Sequence, residues 1–278
     1  MKKTIKIVGV IICLLVLLYI LFLNLPKILG LITKDIGVVD ETGLELNIES
    51  IPDSDNGFIN LQKAVLLIYV PVQATGTPSI INDLYSGKNW DEKLTEDIVN
   101  KNEQSLLEFS NIALKNKFQN TAYNNTTHFS PDLPLPSLNN WRMLSMISSI
   151  KSQTLLNKGK NNEAMEEAIK SVKVGQLITD SNTTLIEYLV GIAIKKIGLD
   201  TIEKVKIKSN FTATELSNYS SELSKMFDTK KGLRSSFIIE HKMREYQIDQ
   251  FMSELKNKKS ELLQEEFLSG FAEDFPGI

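Results

Sequence analysis

The sequence predicts an all-α protein: an N-terminal transmembrane helix, then an array of antiparallel helical hairpins with little or no sheet. Three observations carry this. An uncharged apolar run stands near the N-terminus, at Ile7 to Leu23. No proline occurs between Ser137 and Phe275, so nothing there removes a helical hydrogen bond. Apolar residues recur every three or four positions through that stretch, the spacing of one helix face.

The apolar run, IVGVIICLLVLLYILFL, has fourteen Leu, Ile, Val or Phe among its seventeen residues. Their transfer into lipid is favourable by about 4–8 kcal/mol. Extended to residues 5–25, the helix matches a hydrocarbon core of about 30 Å. A cleaved signal would be shorter and end in small residues; this run ends Leu-Phe-Leu-Asn-Leu-Pro. Cys13, with Val-Ile-Ile before it, is a small apolar residue of the span rather than a lipidation site. Lys2, Lys3 and Lys6 precede the span; after it Lys27 and Lys34 are soon joined by Asp35, Asp40 and Glu41. Positive charge stays inside, so residues 1–32 form a cytoplasmic stub and anchor, and the bilayer is the partner of residues 5–25. The rest faces outward from the cell membrane. Without the three leading lysines the chain holds 28 basic and 34 acidic residues, a net of −6. That acidity argues against nucleic acid as a partner.

Residues 33–52 form an extended linker in which Leu44-Glu45-Leu46-Asn47-Ile48 alternates, as a segment lying on the domain would. The helical domain spans 53–268. Asp53, Ser54 or Asp55 caps a first helix over about 55–70, with Phe58, Leu61, Val65 and Ile68 in the core. The apolar stretch Ala64 to Val72 is too short to cross a bilayer and should be buried. Pro71 and Pro78 mark a loop. One helix follows from Asp91 to Lys117, with Leu94, Ile98, Leu106, Phe109 and Ile112 on one face. Residues 119–137 form a proline-bearing loop. The next helix carries the stripe Met143, Met146, Ile147, Ile150 and Thr154, and ends at a turn whose left-handed residue is Gly159. Asn162 caps Glu163 to Thr179, with Ala164, Ala168 and Val172 inward. Thr184 to Lys206 is apolar on most sides near Leu185 to Ile194, which predicts a central helix; Gly191 and Gly198 would let a neighbour approach closely. Thr212 or Thr214 caps a helix to Phe227. A long helix from Lys230 to Leu268, with a break near Asn257, has Leu233, Phe237, Ile248, Phe251, Met252 and Leu255 as its apolar face. Residues 269–278 form a tail.

Within Ser145 to Ile178, Ser152, Leu155, Gly159 and Ala164 fall at the small, aromatic, turn-glycine and alanine positions of a tetratricopeptide unit, which this segment resembles; Ser148 and Lys151 depart from its apolar consensus, and no proline closes it. The larger order is similar to a group of uncharacterised bacterial single-pass membrane-anchored helical proteins. The matching elements are the anchor, Pro-Asp-Ser-Asp-Asn-Gly at 52–57, the Leu-Pro-x-Pro loop, the helix pair around Gly159 and Thr-Leu-Ile-Glu-Tyr-Leu-Val-Gly-Ile-Ala at 184–193. That resemblance implies no activity, and it implies that such chains continue past an aromatic tail like Phe267 to Phe275.

Candidate chemistry is sparse. Started at Asp53, a calcium loop would need glycine sixth and glutamate twelfth; Gly57 falls fifth and Ala64 twelfth, so the motif is a helix-start turn. Ser148-x-x-Lys151 lies on a predicted helix without the companion motifs of serine–lysine chemistry. Trp90 and Trp141 each open a helical stretch and are packing residues. Glu240, His241, Arg244 and Glu245 form the polar cluster most worth testing. His241 and Glu245 stand one helical turn apart and could share a metal, but His128 is the sole other histidine. No catalytic, cofactor or metal site is assigned. The expectation is a non-enzymatic, membrane-tethered scaffold that binds a protein or peptide at the cell envelope. The alternatives are an envelope hydrolase whose carboxylates meet only in the fold, and a lipid or small-molecule sensor.

Overall fold

The computed structural model describes residues 43–46, 48–71, 80–124, 129–130, 136–226 and 230–274, with side chains in the last helix described for 232–258. The anchor at 5–25, the first ten residues of the linker, His128 and the end of the tail lie outside them. Nine α-helices and no strand occur among the described residues: α1 Gly57–Leu67, α2 Ile80–Ser86, α3 Glu92–Lys101, α4 Glu103–Ile112, α5 Leu138–Asn157, α6 Asn161–Thr179, α7 Leu185–Lys208, α8 Ala213–Ser224 and α9 Lys230–Asp274. None of them is long and apolar enough to cross a membrane.

The compact unit Leu46–Ile278 is organised on α5, α6 and α7, which all pack on one another. The α6–α7 contact is the most extensive, and glycine explains it. A Cβ on Gly175 would stand 2.6 Å from the Lys195 backbone nitrogen, and one on Gly198 would stand 2.8 Å from that of Val172. Real side chains do not approach so closely, so backbone meets backbone along this seam. The predicted role of Gly191 and Gly198 holds, and Gly175 supplies the other side. The α5–α6 turn also forms as expected, with Gly159 at φ 75°.

The first core cluster joins α1, α4, α5, α6 and α7. Phe58, Phe118 and Trp141 meet edge to face, with centroids 5.7–6.2 Å apart, the favoured arrangement of aromatic quadrupoles. A second cluster sets Ile81, Leu84, Ile98 and Leu106 against Met146, Ile147 and Ile150 of α5. Ala164, Ala168 and Val172 are buried as predicted.

Several expectations are corrected. The cap of α1 is Asn56, not Asp53, Ser54 or Asp55; its side-chain oxygen accepts from Phe58 N at 3.1 Å. The same buried amide accepts from Gln119 N and donates to Gln119 O, a partnership across 63 residues that no local pattern reveals. Past Ala64 the predicted burial fails: Leu66 is 85 % exposed and Leu67 49 %. The single helix predicted over 91–117 is two, with α2 lying before them. Buried Asn102 makes the break, because its side chain pairs with both the nitrogen and the oxygen of Tyr69, each at 2.9 Å. Asn162 does not cap α6, whose N-cap is Lys160 without a side-chain bond. Within the proline-bearing loop, Thr121–Tyr123 form one 3-10 turn.

Two apolar faces are also not where pattern placed them. On α7, Ile186, Leu189 and Ile192 are 44–54 % exposed, so among the described residues its first half is covered on one side only. The last helix runs unbroken through Asn257 to Asp274. The linker alternation holds: Leu46 and Ile48 pack on the cluster of Tyr123, Phe129 and Ile239.

Candidate partner-binding surface

The start of α9 docks on the N-terminus of α7, and polar chemistry concentrates there. Thr184 and Glu187 form a capping box, the reciprocal pairing that a Thr-x-x-Glu spacing permits. Glu187 is fully buried, and its two oxygens take four donors: Asn120 Nδ2 at 3.1 Å, the Tyr123 hydroxyl at 2.8 Å, and the nitrogen and hydroxyl of Thr184 at 2.8 and 3.0 Å. Burial first, and then Glu187, push the Tyr123 hydroxyl far above the ordinary tyrosine value. Sequence inspection passed over this node, although Thr184-x-x-Glu187 is a visible signal for its capping half.

Glu240 joins the same helix end. Its Oε1 accepts from Leu185 N at 3.0 Å, so two carboxylates meet the positive end of the α7 dipole. Glu240 thereby turns toward α7 and not along α9. Arg244 is exposed. His241 Nε2 stands 3.4 Å from Glu245 Oε1 but without hydrogen-bond geometry. The four residues of the predicted cluster therefore do not converge. Among the described residues no group of three or more His, Cys, Asp or Glu could hold a metal ion.

The serine–lysine spacing has a structural use. Ser148 donates to Glu167 Oε1 at 3.0 Å, and Lys151 and Lys170 reach its Oε2 at 3.1 and 3.0 Å. Glu167 is 2 % exposed. The two positions that depart from the tetratricopeptide consensus thus satisfy one buried carboxylate between α5 and α6, as a charge in such a place requires.

Beyond Met243 the character of α9 changes. Every side chain from Gln247 to Lys258 is exposed. Ile248, Phe251, Met252 and Leu255 are 46–60 % exposed, at the spacing i, i+3, i+4, i+7 of one narrow helical face. Leu233 and Phe237, also expected inside, are 38 and 56 % exposed; the core takes Ile238 and Ile239. The sequence identified an apolar face correctly, but nothing among the described residues covers it. Asp249, Glu254, Lys256 and Lys258 flank the stripe, as charges flank a coiled-coil seam.

A further concavity of about 320 Å³ lies at the α5–α6 turn, bordered by Lys160, Asn162, Glu163, Phe211 and Glu215. It is open, and Asn162 and Glu215 there bond each other at 3.4 Å.

Comparison with protein-family models, curated proteins and solved structures finds no match.

Proposed function

We propose that this protein is a non-enzymatic, membrane-tethered helical scaffold whose last helix grips a helical segment of a partner protein at the cell envelope. The carrying observation is the uncovered stripe Ile248, Phe251, Met252 and Leu255. Four large apolar side chains on one face of an exposed helix suit the helix-to-helix mode of recognition. The hairpin body supports the same reading. Its α5–α6 pair turns at Gly159, and Ser152 Oγ donates to Ala164 O at 2.7 Å, bringing the small positions of the tetratricopeptide-like unit together. A hydrolase would need carboxylates converging on an accessible space; Glu187 is sealed by donors and Glu240 caps a helix. The tether is the apolar run at 5–25, with the helical domain outside the cytoplasm.

Photocrosslinking tests this in the native membrane. A benzophenone amino acid replaces Phe251 in the full chain, and Asn257, on the opposite face, serves as control. The expected result is one discrete protein adduct from position 251 and none from 257. Equal labelling at both positions, or no protein adduct, would overturn the proposal. Protease digestion of intact cells should cut the helical domain; complete protection would reverse the sidedness.

A further inference from the structure

A second cavity, away from the α9 stripe, has different chemistry. Its volume is about 180 Å³, and Trp90, Gln153, Asn157, Lys204 and Lys208 line it together with Gly87 and Leu156. Three segments build it. The chain between α2 and α3 enters with Gly87 at φ 81° and Asn89 at φ 52°, left-handed conformations that Gly and Asn adopt most readily, and these turns bring Trp90 to the cavity. Gln153 and Asn157 are one turn apart on α5. Lys204 and Lys208 are one turn apart at the end of α7.

The lining carries five side chains with N–H donors and no carboxylate. Lys204 is fixed in place: its Nζ donates to Tyr85 O at 2.7 Å and lies 4.7 Å over the Tyr85 ring. Of the acids near it, Asp200 is engaged by Lys196 at 2.7 and 2.9 Å and by the Tyr85 hydroxyl at 3.3 Å. Burial, followed by the repulsion of Lys208, lowers the Lys204 ammonium against the pull of Asp200; a bound anion would relieve that repulsion. Gln153 is 9 % exposed, yet its amide nitrogen makes only long contacts, 3.4 Å to Tyr85 O and 3.4–3.5 Å to Ser149. Good N–H···O bonds are about 2.9–3.0 Å, so a buried donor here is left under-used beside a cationic space. The volume falls below the ~300–1,000 Å³ of sites for drug-sized ligands and suits a compact ion.

We propose that this cavity binds a small tetrahedral oxyanion, inorganic phosphate or the phosphate end of a small monoester, between the ammonium groups of Lys204 and Lys208 and the amide of Gln153. Two cations and a neutral amide match a phosphate's charge and acceptor oxygens.

The two tryptophans give the readout. Trp141 is 1 % exposed in the aromatic core, so acrylamide quenching reports chiefly on Trp90. The full chain in a phosphate-free maltoside detergent is titrated with phosphate, sulfate, acetate and glycerol phosphate at ionic strength held constant with sodium chloride. Expected are saturable protection of Trp90 by phosphate and sulfate, little response to acetate, and at least tenfold weaker binding in Lys204→Met and Lys208→Gln. Tighter binding of glycerol phosphate than of phosphate assigns the ester as ligand, and the reverse assigns the free ion. Lys208 is exposed, so Lys208→Gln leaves the fold intact and decides the matter alone. No saturable response, a response matched by chloride, or wild-type affinity in Lys208→Gln would overturn the assignment.

Discussion

Single buried amides decide where helices begin and end. Asn56 satisfies Phe58 N and both backbone groups of Gln119, so it is at once a cap and a clamp. Asn56→Ala removes the cap, worth about 1 kcal/mol, and strands buried backbone groups at about 1–3 kcal/mol more. A loss of about 2–4 kcal/mol in urea unfolding, with unchanged denaturant slope, is the expected outcome; a loss under 1 kcal/mol would contradict the clamp. The sequence placed the cap among Asp53, Ser54 and Asp55, one residue short of Asn56, because each of these residue types can cap. The true cap is selected by Gln119, 63 residues away, and no local pattern carries that partner. Glu187 was hidden for the same reason: two of its donors, Asn120 and Tyr123, come from a loop more than 60 residues away.

Helix pairing is carried by what is missing from the seam between α6 and α7. Gly175→Ala and Gly198→Ala would each force a methyl onto backbone atoms at 2.6–2.8 Å. Overpacking of this kind costs about 1–3 kcal/mol, against a gain of up to ~1 kcal/mol in helix propensity. Both variants should be destabilised in urea unfolding, and more so than Gly191→Ala, where the obstacles are side-chain atoms of Ile178 and Thr179 at 2.9 Å. Equal stability of all three with the parent chain would mean that the helices can slide apart without penalty. Periodicity made most helices legible, along with the Gly191–Gly198 spacing and the Gly159 turn. It missed α2, a helix of only seven residues, and it misjudged the outer faces of α7 and α9. Period shows that a face is apolar, not that the rest of the chain reaches over it.

Across the whole molecule, buried tyrosines set the alkaline limit. Tyr85 is pushed up to about 12, by burial first and then by Asp200, and Tyr123 moves further in the same direction. Both keep their protons in the folded chain where an unfolded tyrosine, with a pKa of about 10, has lost its own. The folded state then holds more protons, so stability falls as pH rises from about 10 through the folded values. Lys195 and Lys204 act oppositely. Burial lowers both, so stability rises with pH until their unfolded value near 10.5 is passed. Above that point the tyrosines act, joined in the same direction by exposed Lys101, whose ammonium is raised by its hydrogen bond to Asp97. Urea midpoints should therefore fall between pH 10.5 and 12, and less steeply in Tyr85→Phe; a flat profile would remove the tyrosines from the account. The all-α class was legible as a whole because proline-free periodic sequence leaves few alternatives. The cationic cavity was not, since its lining comes from three separated segments.

The α9 stripe also sets an affinity class. Four side chains already about half buried, at about 1.5–3 kcal/mol each for full burial, contribute only about 3–6 kcal/mol, which reaches no more than the lower part of the roughly 4–15 kcal/mol that association loses in freedom of motion. A free partner would come and go quickly. The proposed tether would confine both molecules to one surface and change the arithmetic, because a local concentration in the millimolar range turns a fleeting contact into an occupied one. On that reading the tether and the stripe are two halves of a single binding device, and severing either should abolish occupancy without altering the fold.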